Sequence, residues 1–177
     1  MAKPKLRKML GNAQHPLVIK LMRIIETQSQ DTLCRWALDY VQAHYFPILN
    51  QKGCCDSRFI QAAQTVENLL HKRISLKEGK PFFKQAAAAA REIDQDPAAQ
   101  AAAKAISVAC SIAQTPTNAL GFTFYGAAAY AYDCAGFEAS RQVYEQLATE
   151  EFQTLLDALN LIAVLHEPNP VKINWNC

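Results

Sequence analysis

The chain lacks the short signatures on which common enzyme chemistries depend. GxSxG, HExxH, a Walker-type loop, GxGxxG and CxxC are all absent, so no activated serine, helix-borne zinc, phosphate cradle, dinucleotide site or dithiol is implied. Strand patterning is missing too: no useful length alternates apolar and polar residues, and the short run VKINW is the one candidate. Charge imbalance is slight, a formal +2, too small to require a nucleic-acid or anionic-membrane partner. No secretory signal is visible, because Lys20 and Arg23 interrupt HPLVIKLMRII and no small-residue cleavage site follows. The six cysteines, three of them on apolar helical faces, then read as reduced thiols of a cytoplasmic protein.

What is present is apolar and helical. Half of the 177 residues are hydrophobic, enough for one domain, 1–177, with a sizeable core. Lys3, Lys5, Arg7 and Lys8 crowd the start, so 1–14 reads as a solvated, frayed basic terminus rather than a nucleic-acid arm. Between Lys104 and Asp133 no residue is formally charged. That length would cross a bilayer, but QTPTN interrupts it. Pro116 disfavours helix at Thr115, and Thr117 or Asn118 can cap a new one. The run therefore reads as two helices, 97–114 and 118–135, forming a buried Ala-rich hairpin at the centre of an all-α bundle.

Five further helices complete a set of seven. The first, 16–27, places Leu17, Leu21, Ile24 and Ile25 on one side. The second, capped by Ser29 or Asp31, carries Leu33, Trp36, Ala37, Tyr40, Val41, His44, Tyr45 and Ile48 on one stripe, with a kink or end at Pro47. Gly53 ends it, and Asp56 or Ser57 caps the third, 57–72, which buries Phe59, Ala63, Val66 and Leu70. Ser75 to Glu78 fits a capping box, although Gly79 and Pro81 leave open a start nearer Pro81; the body buries Phe83, Ala86, Ala90 and Ile93. Asp96 followed by Pro97 starts the fifth helix, and Gly136 lets the chain turn after the sixth. The last, 138–165, points Val143, Leu147, Phe152, Leu155, Leu156, Leu159 and Ile162 inward. Residues 167–177 read as an extended tail, with Trp175 packing back.

No catalytic, cofactor-binding or metal-binding residue stands out, and no enzymatic role is expected. Glu67 and His71 share a helix face but have no second ligand pair, so a surface hydrogen bond fits better than a metal. His44 reads as a satisfied core histidine, Cys54–Cys55 as casual thiols. Asp133 reads as a structural carboxylate of unassigned partner; if it is buried it needs one, which Arg141 or Arg58 could supply. Asp56 and Arg58 at a helix start, beside the aromatic pair Tyr45 and Phe46, suit protein binding; a local Asp–Arg cap explains them equally well.

The run CRWALDYVQAHYFPILNQKGCCDSRFIQAAQTV, followed by AAAAAREI and AAQAAAKAISVACSIAQTPTNALGFTFYGAAAYAYDCAG, resembles immunity proteins of the Imm-5 type, bacterial proteins inferred to neutralise polymorphic toxins. The resemblance spans roughly residues 31–136. It implies no catalytic residue and a cognate toxin domain as partner. It departs from the family pattern at Asn118, where histidine often stands, and at Lys72–Arg73, where Gly–Glu does; if these positions face the toxin, the partner differs accordingly. The candidate partner-binding residues are thus Tyr45, Phe46, Asp56, Arg58, Lys72, Arg73 and Asn118. An inhibitor of this kind needs only a complementary surface, commonly burying about 1,600 Å² in total. The alternative is a small ligand-binding bundle or enzyme, with a pocket between helices 97–114 and 118–135 lined by Asn118, Tyr125, Tyr130 and Asp133. Oligomeric state stays open at this stage, a homodimer included.

Overall fold

The computed structural model describes residues 5–176, and every regular element among them is helical. Eight α-helices follow one another: α1 (Pro16–Ile25), α2 (Gln30–His44), α3 (Phe46–Gln51), α4 (Ser57–Leu70), α5 (Leu76–Glu92), α6 (Pro97–Cys110), α7 (Asn118–Ala135) and α8 (Arg141–Ile162), with a 3-10 turn (Ser111–Ala113) after α6. The expected all-α bundle is therefore present. It has one helix more than the pattern predicts, because Pro47 divides the second segment into α2 and α3. Proline offers no N–H to continue the ladder, yet the helix resumes at once, with Leu49 N–H donating to Tyr45 O at 3.2 Å.

The helix starts follow local chemistry. The hydroxyl of Ser29 caps α2, Asp56 caps α4, Asp96 caps α6 and Ser140 caps α8, each accepting from a first-turn N–H. At α5 the full capping box forms between Ser75 and Glu78, and the helix begins at Leu76 rather than Pro81. The imidazole of His15 caps α1 through Nδ1, while its Nε2 lies 3.0 Å from Thr149 Oγ1 on α8. Gly136 ends α7 at φ +68°, a left-handed angle that glycine adopts without a Cβ penalty.

The α6–α7 hairpin lies at the centre and is the most extensively packed pair. Alanine dominates the contact: Ala98, Ala99, Ala102, Ala103, Ala105, Ala127, Ala128, Ala129 and Ala131 are all fully buried. Methyl-sized side chains let the two backbones approach closely, and aromatic side chains fill the space beyond, Trp36 meeting Phe122 edge-on at 5.0 Å. Helices α2 to α5 cover the α6 side, whereas α8 and α1 close over α7. No helix among the described residues is long and apolar enough to cross a membrane.

Both ends of the described residues are tied to this body. Leu10 is buried, its N–H donates to Phe124 O at 3.1 Å, and Tyr132 Oη donates to Arg7 O at 2.7 Å. Residues 6–10 are thus seated on α7 and not a free arm, while Lys5, Arg7 and Lys8 keep exposed side chains; Lys3 lies outside the described residues. At the other end, Glu167 accepts from Ser29 N–H at 2.7 Å, from Ser29 Oγ at 2.8 Å and from Thr32 Oγ1 at 2.5 Å. Val171 N–H donates to Gln28 O at 2.8 Å, and the Trp175 indole N–H donates to Glu26. The extended tail therefore straps the α1–α2 corner. Its Glu167 carboxylate satisfies one free backbone donor where α2 starts, Ser29 N–H.

Two registers differ from expectation. In α8, Val143 is 40% exposed and Tyr144 and Ala148 point inward instead, so the first two turns are rotated by one residue. His44, expected in the core, sits at the exposed end of α2. Its ring stacks on Tyr40 at 4.1 Å, and partial burial lowers its pKa.

Candidate functional site

The seven candidate partner-binding residues do not form one surface. Helix α4 has 14 residues, so about 21 Å of helix rise separates its ends. Asp56 and Arg58 stand at its N-terminal end, whereas Tyr45 and Phe46 stand at the junction of α2 and α3; Lys72 and Arg73 follow its C-terminal end, on the side where the α6–α7 turn also lies, since Lys72 and Ala113 line one hollow.

At the first end the local cap is what forms. Asp56 Oδ1 accepts from Arg58 N–H at 2.8 Å and from Arg58 Nε at 2.9 Å. The same guanidinium reaches Glu92 on α5, at 3.0 and 2.5 Å. Hydrogen bonds from the Arg58 side chain hold Asp56 down at about 2. Arg58 is therefore taken up by Asp56 and Glu92, and Arg141 by Glu145 at 2.6 Å, so neither pairs with Asp133, which is exposed. Tyr45, expected beside exposed Phe46, is 1% exposed and faces the interior, while Phe46 is half-buried.

At the second end, Lys72 and Arg73 are exposed. Lys72 adopts a left-handed backbone at φ +55° and its ammonium lies 2.8 Å from Asp31. The Arg73 guanidinium lies 3.5 Å from the Asn68 side chain, and its backbone N–H donates to Asn68 O at 2.8 Å. Asn118 is half-buried at the start of α7. Glu67 pairs chiefly with Arg35, two oxygens on two guanidinium nitrogens at 2.7 and 2.8 Å, with His71 at 3.5 Å. Arg35 is a partner that sequence spacing does not disclose. No group of three or more His, Cys, Asp or Glu able to hold a metal occurs among the described residues.

The pocket envisaged between α6 and α7 is not built from its four proposed residues. Asn118 and Tyr130 are twelve positions apart on α7, about 18 Å by helix rise, and alanines fill the space between the two helices. Tyr130 and Asp133 instead line a hollow of about 150 Å³ on the other face of α7, with His44, Tyr45, Pro47, Ile48, Gln51, Cys134 and Glu151. Glu151 is the residue that sequence reasoning missed. It is 3% exposed, and Oε1 accepts from Tyr40 Oη at 2.8 Å and from Tyr45 Oη at 2.7 Å. Burial pushes this carboxyl up, against the two phenolic hydrogen bonds, which pull it down. Gly126 makes the geometry possible: a Cβ there would lie 2.8 Å from Tyr45 Cε2, and nearer still to its Cζ and hydroxyl.

No curated protein and no solved structure gives a significant match. A family model described as "Imm-5 like putative immunity protein" matches residues 23–157, from within α1 to within α8. That match takes in the central hairpin, both clusters of candidate residues and Glu151, and the chain belongs to the Imm-5 like putative immunity protein family.

Proposed function

We propose that this protein binds a cognate bacterial polymorphic-toxin domain in the cytoplasm and blocks it by surface complementarity, without catalysing a reaction. Membership of the family over residues 23–157 carries this reading. The scaffold suits it: a core locked by close-packed helices holds its surface in one arrangement, which lowers the ordering cost of association.

The toxin-facing surface, on this reading, is the basic turn between α4 and α5, Lys72 and Arg73, on the side of the α6–α7 turn that leads to Asn118. Support comes from partner availability. The Lys72–Asp31 pair is largely exposed on both sides, 73% and 61%, so exchanging it for a toxin carboxylate costs little. Arg58 is already shared by the carboxylates of Asp56 and Glu92, and Tyr45 is sealed inside.

Co-expression with the toxin domain encoded beside this gene tests both levels. The wild-type chain rescues growth and copurifies with that domain. The double substitution Lys72→Glu, Arg73→Glu weakens both effects, and Arg58→Gln does not. Failure of the wild-type chain to rescue or copurify removes the immunity role for that pair. Full retention of binding by the double variant removes the surface assignment alone.

A further inference from the structure

A buried carboxylate without a cation needs a physical account, because removing a charge from water costs several kcal/mol unless it is paired. Glu151 is in that position. None of the ion pairs among the described residues includes it. Two tyrosines satisfy Oε1, while Oε2 accepts no hydrogen bond from the described residues, and the residue is 3% exposed. It borders the hollow of about 150 Å³, whose rim includes the exposed residues His44, Gln51, Asp133 and Cys134.

The walls select the kind of occupant. Asp133 adds a second carboxylate on the rim, and Glu150 stands behind Tyr130, 3.5 Å from its hydroxyl. Tyr45 and Tyr130 supply aromatic surface, which attracts cations. No lysine or arginine lines the hollow. A metal ion is poorly served, since no set of three ligating side chains converges among the described residues. The volume corresponds to about five water-sized groups, at about 30 Å³ each, the size of a short alkylammonium or a guanidinium group.

We propose that the hollow over Glu151 is a binding site for one organic cation, a primary ammonium or guanidinium group, held by Glu151 Oε2 at the floor and Asp133 at the rim. Such a group reaches the site on a free amine or on a lysine or arginine side chain of a partner protein; the recognition chemistry is the same. The site stands independently of the immunity reading, because it is defined on the isolated chain.

The test is titration of the purified protein with n-butylammonium and methylguanidinium, followed by chemical-shift changes of the Tyr40, Tyr45 and Tyr130 rings, with neutral n-butanol as control. Saturable binding of a cation, and none of butanol, is expected. Glu151→Gln weakens it roughly tenfold or more, the loss expected for a charge-assisted bond. Asp133→Asn, an exposed change that leaves the core intact, weakens it several-fold. If the toxin partner is in hand, displacement of its complex by n-butylammonium assigns the cation to a toxin side chain; an unaffected complex alongside amine binding assigns it to a free amine. Absence of shifts at these tyrosines, binding of butanol equal to that of the cations, or unchanged affinity in both variants overturns the proposal.

Discussion

Two glycines on the same helix should respond in opposite ways to the same substitution. Gly121 and Gly126 both lie inside α7, so alanine at either gains about 1 kcal/mol of helix propensity. At Gly121 the new methyl meets Val108 Cγ1 at 3.4 Å, an ordinary contact, and Gly121→Ala should stabilise the protein by about 0.5–1 kcal/mol. At Gly126 it enters the Tyr45 ring, 2.8 Å from Cε2 and nearer to the hydroxyl. Tyr45 is 1% exposed and cannot swing into solvent. Either α7 moves off its neighbours, an overpacking cost of about 1–3 kcal/mol, or Tyr45 Oη leaves Glu151, giving up about 1.5–3 kcal/mol for a hydrogen bond to a charged group. After the propensity gain, Gly126→Ala should be less stable by about 1 kcal/mol. Urea unfolding followed by circular dichroism measures both variants. A Gly126→Ala midpoint at or above the wild-type value, with unchanged slope, would refute the packing of Tyr45 against α7 and with it the Glu151 site.

Three other outcomes are expected. The Glu151 carboxyl is raised above its ordinary 4.5 by burial, despite the bonds from Tyr45 and Tyr40, so the folded chain holds this proton to higher pH than the unfolded one. Its contribution is then fullest below pH 4.5 and is lost as pH rises through the raised value. Wild-type stability minus that of Glu151→Gln should decline over that range, the lowered carboxylates Asp56, Glu67 and Glu92 cancelling because both proteins share them; a flat or rising difference excludes the burial argument. Glu167→Ala removes three hydrogen bonds to Ser29 and Thr32 and should cost about 1–2 kcal/mol, the range of a lost cap, with hydrogen exchange accelerating first at the start of α2. Ala102, fully buried in α6, has no room for a larger side chain, and Ala102→Leu should cost about 1–3 kcal/mol or more in thermal unfolding.

How far the sequence discloses this molecule depends on how far apart the interacting residues lie. Helix positions were legible because each outer helix buries one stripe, and caps were legible because Ser29, Asp56, Ser75 and Asp96 act within three residues of themselves. Local reading also captured the Asp56–Arg58 pair, two residues apart, but not its extension to Glu92, 34 residues on. The Ala-rich hairpin was legible for a different reason: a helix apolar on nearly every side has nowhere to go but the centre. Glu151 resisted every such rule. On the helical wheel it adjoins Phe152 and Leu155 at the edge of the α8 stripe, where a glutamate reads as solvated. It is buried only because Tyr40 and Tyr45, 111 and 106 residues earlier, turn their hydroxyls onto it. Those tyrosines read as apolar stripe members, and Gly126, which admits Tyr45, reads as one more small residue in α7. Three elements that each look ordinary meet at one carboxylate. Polar chemistry in this fold is therefore found where helices cross, and the apolar periodicity that locates the helices is blind to it.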